Sequence, residues 1–324
     1  MDIYVKKAII HQFSPDDTDF YLADKFLNIT PKIEEYLRKK IERVYSDEAR
    51  TGIFEEDNPF LEMISNDLLE TSVAVANRWK EEFVVSENQK TNDLVFVQFS
   101  KEGVEHFAFL RIALRETLTH LGGEVDNPIK LTQNNLPGFG TGADEALVIN
   151  LQSRKYHLIE KRIKYNGTFL NYFSENLLQA QPKISPKKSI KALEKTAQKI
   201  AESFNTDDFQ FQSKVKSAIF NHIEEENKLS PEKLADDLFD DNLTARLSFI
   251  DQVKEAVPEP VTFEEIDASR QLKKFENQKL SLSNGIELIV PNNVYEDAES
   301  VEFILNDNGT YSILIKNIED IQSK

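Results

Sequence analysis

Four lysines stand out for what they can do by position alone. Lys188, Lys191, Lys195 and Lys199 lie in the segment 187–204, KKSIKALEKTAQKIAESF, each three or four residues from the next. At about 100° per residue a helix gathers them within roughly 80° of arc and spreads them along roughly 16 Å. Ile190, Leu193, Ala197, Ile200 and Phe204 keep the same step on the opposite side, so the segment predicts an amphipathic helix. A ridge of ammonium groups can lie along phosphates and gain affinity by releasing counterions. The plain alternative is a solvated face, because lysine is a good helix former. Two other basic islands exist. Arg154, Lys155, Lys161, Arg162 and Lys164 stand against Glu160 alone, and Arg270, Lys273, Lys274 and Lys279 precede the last strands.

Other chemistry finds less support. Gly138-Phe139-Gly140-Thr141-Gly142-Ala143 fits G-x-G-x-x-A, but that motif needs a strand before it and a helix after it to seat a pyrophosphate. Asn134-Asn135-Leu136-Pro137 precedes it and strand-like Ala146-Leu147-Val148-Ile149 follows, so it reads as a flexible loop. The histidines His11, His106, His120, His157 and His222 form no H-x-H or H-E-x-x-H pair and predict no metal site. No G-x-S-x-G elbow occurs. With no cysteine in the chain, disulfides, zinc thiolates and thiol nucleophiles are excluded. Acidic clusters such as Glu55-Glu56-Asp57 read as solvating surface. The expectation is a protein with no catalytic site of its own and no cofactor. Residues 228–257 mimic a helix-turn-helix, yet the would-be recognition helix carries Asp241, Asp251 and Glu255 against Arg246 and Lys254. A major-groove helix should not be net acidic, so a structural helical hairpin is expected.

The elements that must position these residues follow from pattern. Residues 2–13 and 19–29 read as strands around a turn at Ser14-Pro15-Asp16-Asp17. Thr30-Pro31 caps a helix carrying Ile33, Tyr36, Leu37, Ile41 and Val44, and a second helix is expected from about Pro59 to Val85. Leu94–Phe99 is apolar enough for a buried strand, and after a turn at Lys101-Glu102-Gly103 residues 104–115 return. Further strands are expected near 124–132 and 145–152. From Asn166 to about Val257 the pattern is almost wholly helical, with cap-then-proline starts at Ser185-Pro186 and Ser230-Pro231; Pro258 and Pro260 close the block. Leu280–Val290 turns at Asn284-Gly285, and Val301–Leu305 and Tyr311–Ile315 flank Asn306-Asp307-Asn308-Gly309, a hairpin signal. The fold class is therefore α+β: an N-terminal, mostly antiparallel sheet with helices, a central helical block and C-terminal β-hairpins. Two domains are expected, 1–165 and 166–324, with Pro182–Pro186 the best linker candidate.

At 324 residues and 40% hydrophobic, the chain can build two cores. The net charge of −17 argues against a protein basic all over, so any contact with nucleic acid must use a local patch. No leader peptide is visible at the N-terminus and no apolar run approaches the ~20 residues of a membrane span; the expected location is cytoplasmic.

Several short strings have a familiar order. They are Ile9-Ile10-His11-Gln12; Arg43-Val44-Tyr45-Ser46 with Gly52-Ile53-Phe54; Tyr165-Asn166-Gly167-Thr168-Phe169-Leu170-Asn171-Tyr172-Phe173; and Leu272-Lys273-Lys274-Phe275 with Ser283-Asn284-Gly285-Ile286-Glu287-Leu288 before a terminal hairpin. The chain resembles, over nearly its full length, the bacterial nucleoid-associated protein family named for a mass near 37 kDa, and its own mass is 37.3 kDa. The resemblance implies association with the bacterial chromosome and brings no catalytic or ligand residues. The expected partner is DNA, touched without sequence specificity through the basic patches, or reached through a DNA-bound protein on which the acidic chain docks. Exposed strand edges in the terminal hairpins would permit a homodimer, and no membrane is involved.

Overall fold

The run Leu94–Phe99 is apolar at every position but Gln98 because both of its faces are buried. The computed structural model describes residues 2–15, 20–85, 90–120, 129–205, 208–263 and 265–322. The chain divides into two units, Met1–Ser185 and Pro186–Lys324. In chain order the first carries β1 (Ile3–Phe13), α1 (Pro31–Glu42), β2 (Arg50–Ile53), α2 (Pro59–Glu62), α3 (Leu68–Phe83), β3 (Asn92–Lys101), β4 (Val104–Ala113), β5 (Arg115–His120), β6 (Ile129–Asn135), β7 (Glu145–Asn150), β8 (Lys155–Ile159), β9 (Ile163–Tyr165), β10 (Thr168–Leu170) and a π-helical turn, Phe173–Leu177.

Six strands form one antiparallel sheet in the order β1-β3-β4-β7-β8-β2. Side chains alternate between its faces. Leu94 and Phe96 join Ile9, Phe13, Phe107, Phe109, Leu147 and Ile149 in a core with residues of α2, α3 and the π turn. Val95, Val97 and Phe99 join Ala108, Leu110, Ile112 and Val148 in a second core with α1. The β1 register shifts between Val5 and Lys7. That bulge lets Ile3, Val5 and Ala8 share the α1 face, which strict alternation would forbid.

Three expectations are corrected here, and a fourth is placed in its sheet. Residues 20–29 are not a strand: Tyr21 makes a single bridge to Gln12 and the Leu27 amide donates to Ala8 O at 2.8 Å. Phe20, Leu22 and Ala23 pack into one core while Leu27 and Ile29 pack into the other, and a regular strand cannot serve both. Asp16 and Asp17 of the expected turn, and Asp19, lie outside the described residues. The helix expected over 59–85 is broken. The Asp67 carboxylate accepts from the Leu69 amide at 2.8 Å and restarts the helix there, because short polar side chains in Ser65-Asn66-Asp67 compete for backbone groups. The strand expected near 124–132 is present as β6, Ile129–Asn135, and among the described residues pairs only with β5, in a separate two-stranded sheet; residues 124–128 lie outside the described set. Finally, Thr168–Leu170 is not helical but pairs with β9 across the Asn166-Gly167 turn, where both residues have positive φ.

The first unit also extends past residue 165. Tyr172, Phe173, Leu177 and Leu178 are buried in the sheet's core, so residues 166–185 complete this unit and the chain divides at Ser185–Pro186.

His11 sits fully buried on β1. Its Nδ1 accepts from the Ala23 amide at 3.1 Å and its Nε2 lies 3.0 Å from Ser72 Oγ, whose hydroxyl donates to Leu69 O. The ring is therefore neutral, with its proton on Nε2, and burial pushes its pKa down from 6.5 to about 4. The unfolded chain takes up a proton here that the folded chain refuses, so stability is full above pH 6.5 and is lost as pH falls toward 4. A His11→Gln variant should start with a lower melting temperature but lose less of it between pH 6.5 and 4. Parallel losses in both proteins would place the titrating group elsewhere.

The second unit carries α4 (Pro186–Ser203), α5 (Phe209–Glu226), β11 (Lys228–Leu229), α6 (Pro231–Leu238), α7 (Leu243–Ala256), β12 (Val261–Thr262), α8 (Ser269–Phe275), β13 (Asn277–Ser281), β14 (Glu287–Pro291), α9 (Asn292–Tyr295), β15 (Val301–Leu305) and β16 (Tyr311–Ile315). Its core gathers Leu193, Ala197 and Ile200 with Ile219, Leu234, Leu238, Phe249 and Phe275. The pair α6 and α7 buries its apolar side in this core, as a structural hairpin does. The helical block is interrupted by the short β11, which pairs with β12. Both terminal hairpins form, with Gly285 and Gly309 at positive φ in their turns. Phe209 anchors the last one, its ring 5.2 Å from those of Phe303 and Tyr311.

Candidate nucleic-acid interface

Pro186 opens α4 at the first helical position, where its missing N–H costs nothing. Ile190, Leu193, Ala197, Ile200 and Ala201 are buried along one side. That burial fixes the rotation of the helix, and Lys188, Lys191, Lys195 and Lys199 are all exposed. Among the described residues Lys188, Lys191 and Lys195 have no ion-pair partner. Lys199 donates to Gln252 Oε1 at 3.2 Å, a neutral acceptor that leaves its charge uncompensated.

The acids of α4 frame this ridge. Glu194, at its flank, pairs with Lys274 of α8 at 3.2 Å, so α8 neutralises this carboxylate. Glu202 falls within the lysine arc one turn beyond Lys199, where it accepts from Gln198 at 3.2 Å, and it ends the ridge on that side. At the other end the first turn of α4 contains no acid while it holds Lys187 and Lys188. Lysines at a helix N-terminus oppose the helix dipole, so helix stability alone does not account for them.

The second basic island does not assemble. Arg154 occupies a left-handed turn position, φ 59°, with Glu56 at 3.7 Å. Lys155 begins β8, whose five residues span about 17 Å before Lys161, Arg162 and Lys164 follow at its other end. Lys161 pairs with Asp144 at 3.0 Å and Arg162 donates to Phe169 O at 3.0 Å. These five charges are thus split between two ends of a strand.

Charged chemistry is also buried in the first unit. Arg111 Nε donates to Glu145 Oε2 at 2.6 Å and its Nη1 to Asn92 Oδ1 at 2.9 Å. The Tyr172 hydroxyl donates to the same Glu145 oxygen and receives Trp79 Nε1–H at 3.0 Å. Burial first, and then the Glu145 charge, hold the Tyr172 phenol well above its ordinary pKa. The network is closed to solvent and acts as a structural pin. Pattern reading missed it because its members are separated by dozens of residues. Among the described residues no group of three potential metal-binding side chains converges, and no helix is long and apolar enough to cross a membrane.

A family model described as nucleoid-associated protein YejK, NA37, matches residues 9–321. Comparison with curated proteins gives no match.

Proposed function

The chain belongs to the NA37 family of nucleoid-associated proteins, and from that premise we propose that it binds DNA directly, without sequence specificity, through the lysine ridge of α4. The observation that carries this reading is the exposure of Lys188, Lys191, Lys195 and Lys199 on one face, with the flanking Glu194 already paired to Lys274. Lysine–phosphate contacts position a protein on a duplex and read no bases. The first turn of α4, which holds Lys187 and Lys188 and no acid, adds a place where a phosphate oxygen relieves an unfavourable charge. The overall charge of −17 opposes approach at long range. At physiological salt, however, exposed charges are screened beyond about 8 Å, so a local ridge can act in spite of it. Residence in the nucleoid, and so in the cytoplasm, follows from this role, and no catalytic step is part of it.

Anisotropy of a labelled duplex titrated with the purified protein tests the reading. Four phosphate contacts should give a slope of about −3.6 in log affinity against log salt, a loss of roughly 150-fold between ~50 and ~200 mM. Absence of binding at the lower salt would remove direct contact. It would favour a second reading that the strongly acidic balance supports: docking on the basic surface of a DNA-bound protein.

A further inference from the structure

Three glycines between Pro137 and Ala143 are not required by the fold. Gly138, Gly140 and Gly142 have none of the positive φ angles found at Gly103, Gly167, Gly285 and Gly309. A Cβ at Gly138 or Gly140 would meet nothing within 4 Å, and one at Gly142 would touch Arg43 Cδ at an ordinary 3.9 Å. Neither backbone conformation nor packing explains the missing side chains. Glycine in that situation marks a place where another group comes close to the main chain.

The loop is held from α1. Lys40, fully buried, donates from Nζ to the carbonyls of Pro137, Gly138 and Thr141 at 3.3, 2.9 and 2.5 Å. The Tyr36 hydroxyl donates to Pro137 O at 3.0 Å, and its ring meets Phe139 edge-on at 5.5 Å. Two guanidinium side chains flank this arrangement. Arg43 caps α1 beside Gly142, and Arg115 pairs in register with Asn135, just before Pro137. Both are exposed, and among the described residues neither has an ion-pair partner. Two acids lie close by: Asp144 is engaged by the Ala113 amide and by Lys161, each at 3.0 Å, and Asp93, whose charge acts on the Tyr36 hydroxyl, accepts from Gln12 at 3.1 Å. Burial, followed by the charges of Arg43 and Arg115, brings the Lys40 pKa down to about 8. Lys40, Arg43 and Arg115 thus gather where both nearby acids already have donors.

We propose that the Gly138–Ala143 loop, with Arg43 and Arg115, binds a phosphate group. Arginine offers the fork that matches phosphate oxygens, and side-chain-free backbone lets the phosphate approach the loop. The site lies in the first unit and the lysine ridge in the second, so each can be removed without touching the other. The full chain is titrated with inorganic pyrophosphate by calorimetry at low salt, and with duplex DNA by anisotropy. Two double variants are compared with it: Arg43→Gln/Arg115→Gln, and Gly138→Ala/Gly140→Ala, whose methyl groups meet no neighbour. The wild type should bind pyrophosphate, and each double variant should weaken that binding about tenfold or more. If pyrophosphate does not bind but the arginine variant weakens duplex affinity to that degree, the phosphate recognised is one of a DNA backbone. Pyrophosphate binding that both variants leave intact overturns the proposal, as does the absence of pyrophosphate binding together with unchanged duplex affinity. Failure of the ridge is read separately, in a variant of its lysines that leaves this loop intact.

Discussion

An Arg111→Leu variant is expected to lose about 3–5 kcal/mol of stability, which lowers the melting temperature of a unit this size by roughly 6–20 °C. Arg111 and Glu145 are 7% and 0% exposed, so neither charge can turn to water when its partner is removed. The substitution strips Glu145 of its cation and Asn92 Oδ1 of a donor together. Tyr172 continues to donate to the carboxylate, but one neutral hydroxyl does not balance a buried charge. The companion double variant, Arg111→Leu/Glu145→Leu, removes both charges. It should be less destabilised than the single variant, because the uncompensated ion is the larger part of the cost. Thermal melts followed by circular dichroism check both. A single variant within about 1 kcal/mol of the wild type would mean that water reaches Glu145 and that the network does not pin the core.

Reversing the ridge, Lys188→Glu/Lys191→Glu/Lys195→Glu/Lys199→Glu, should lower duplex affinity at ~50 mM salt by about 10²-fold or more and flatten the salt slope by about 3.6. The four side chains are exposed and contribute nothing to the core, so the helix should persist. A far-ultraviolet spectrum equal to that of the wild type separates lost contact from lost fold. The neutral Gln series should fall between the two. Undiminished binding by the folded Glu variant would strike out the ridge as the contact and leave α4 with a merely solvated face.

Legibility in the sequence followed the range of the interactions involved. Local signals are legible where one or two residues decide the outcome. The Thr30 hydroxyl accepts from the Ile33 amide ahead of Pro31, and both Asn-Gly turns place glycine at positive φ. The amphipathic α4 was legible for the same reason, since its apolar step alone sets which face is lysine. Non-local effects were not. The 20–29 segment alternates like a strand, yet its side chains divide between cores on opposite faces of the sheet. The break at Ser65–Asp67 was outvoted by apolar spacing on both sides, although three short polar residues in a row are a capping signal. The basic island at 154–164 was compact only along the chain, because a strand carries its ends apart. Arg43, Lys40 and Arg115 carry no local signature, since the loop that gathers them comes from a third stretch of chain.

The β5/β6 hairpin bears on how this molecule can be handled. Among the described residues it pairs with no other strand and supplies none to either core of its unit; it leaves Leu118 72% and Leu131 55% exposed, while the strands on either side of it, β4 and β7, are already neighbours. It is in effect an insert between two finished parts of a sheet. A limited digest should nick the chain there first, and the same segment is the natural place to graft an epitope or a fluorophore without disturbing either hydrophobic layer.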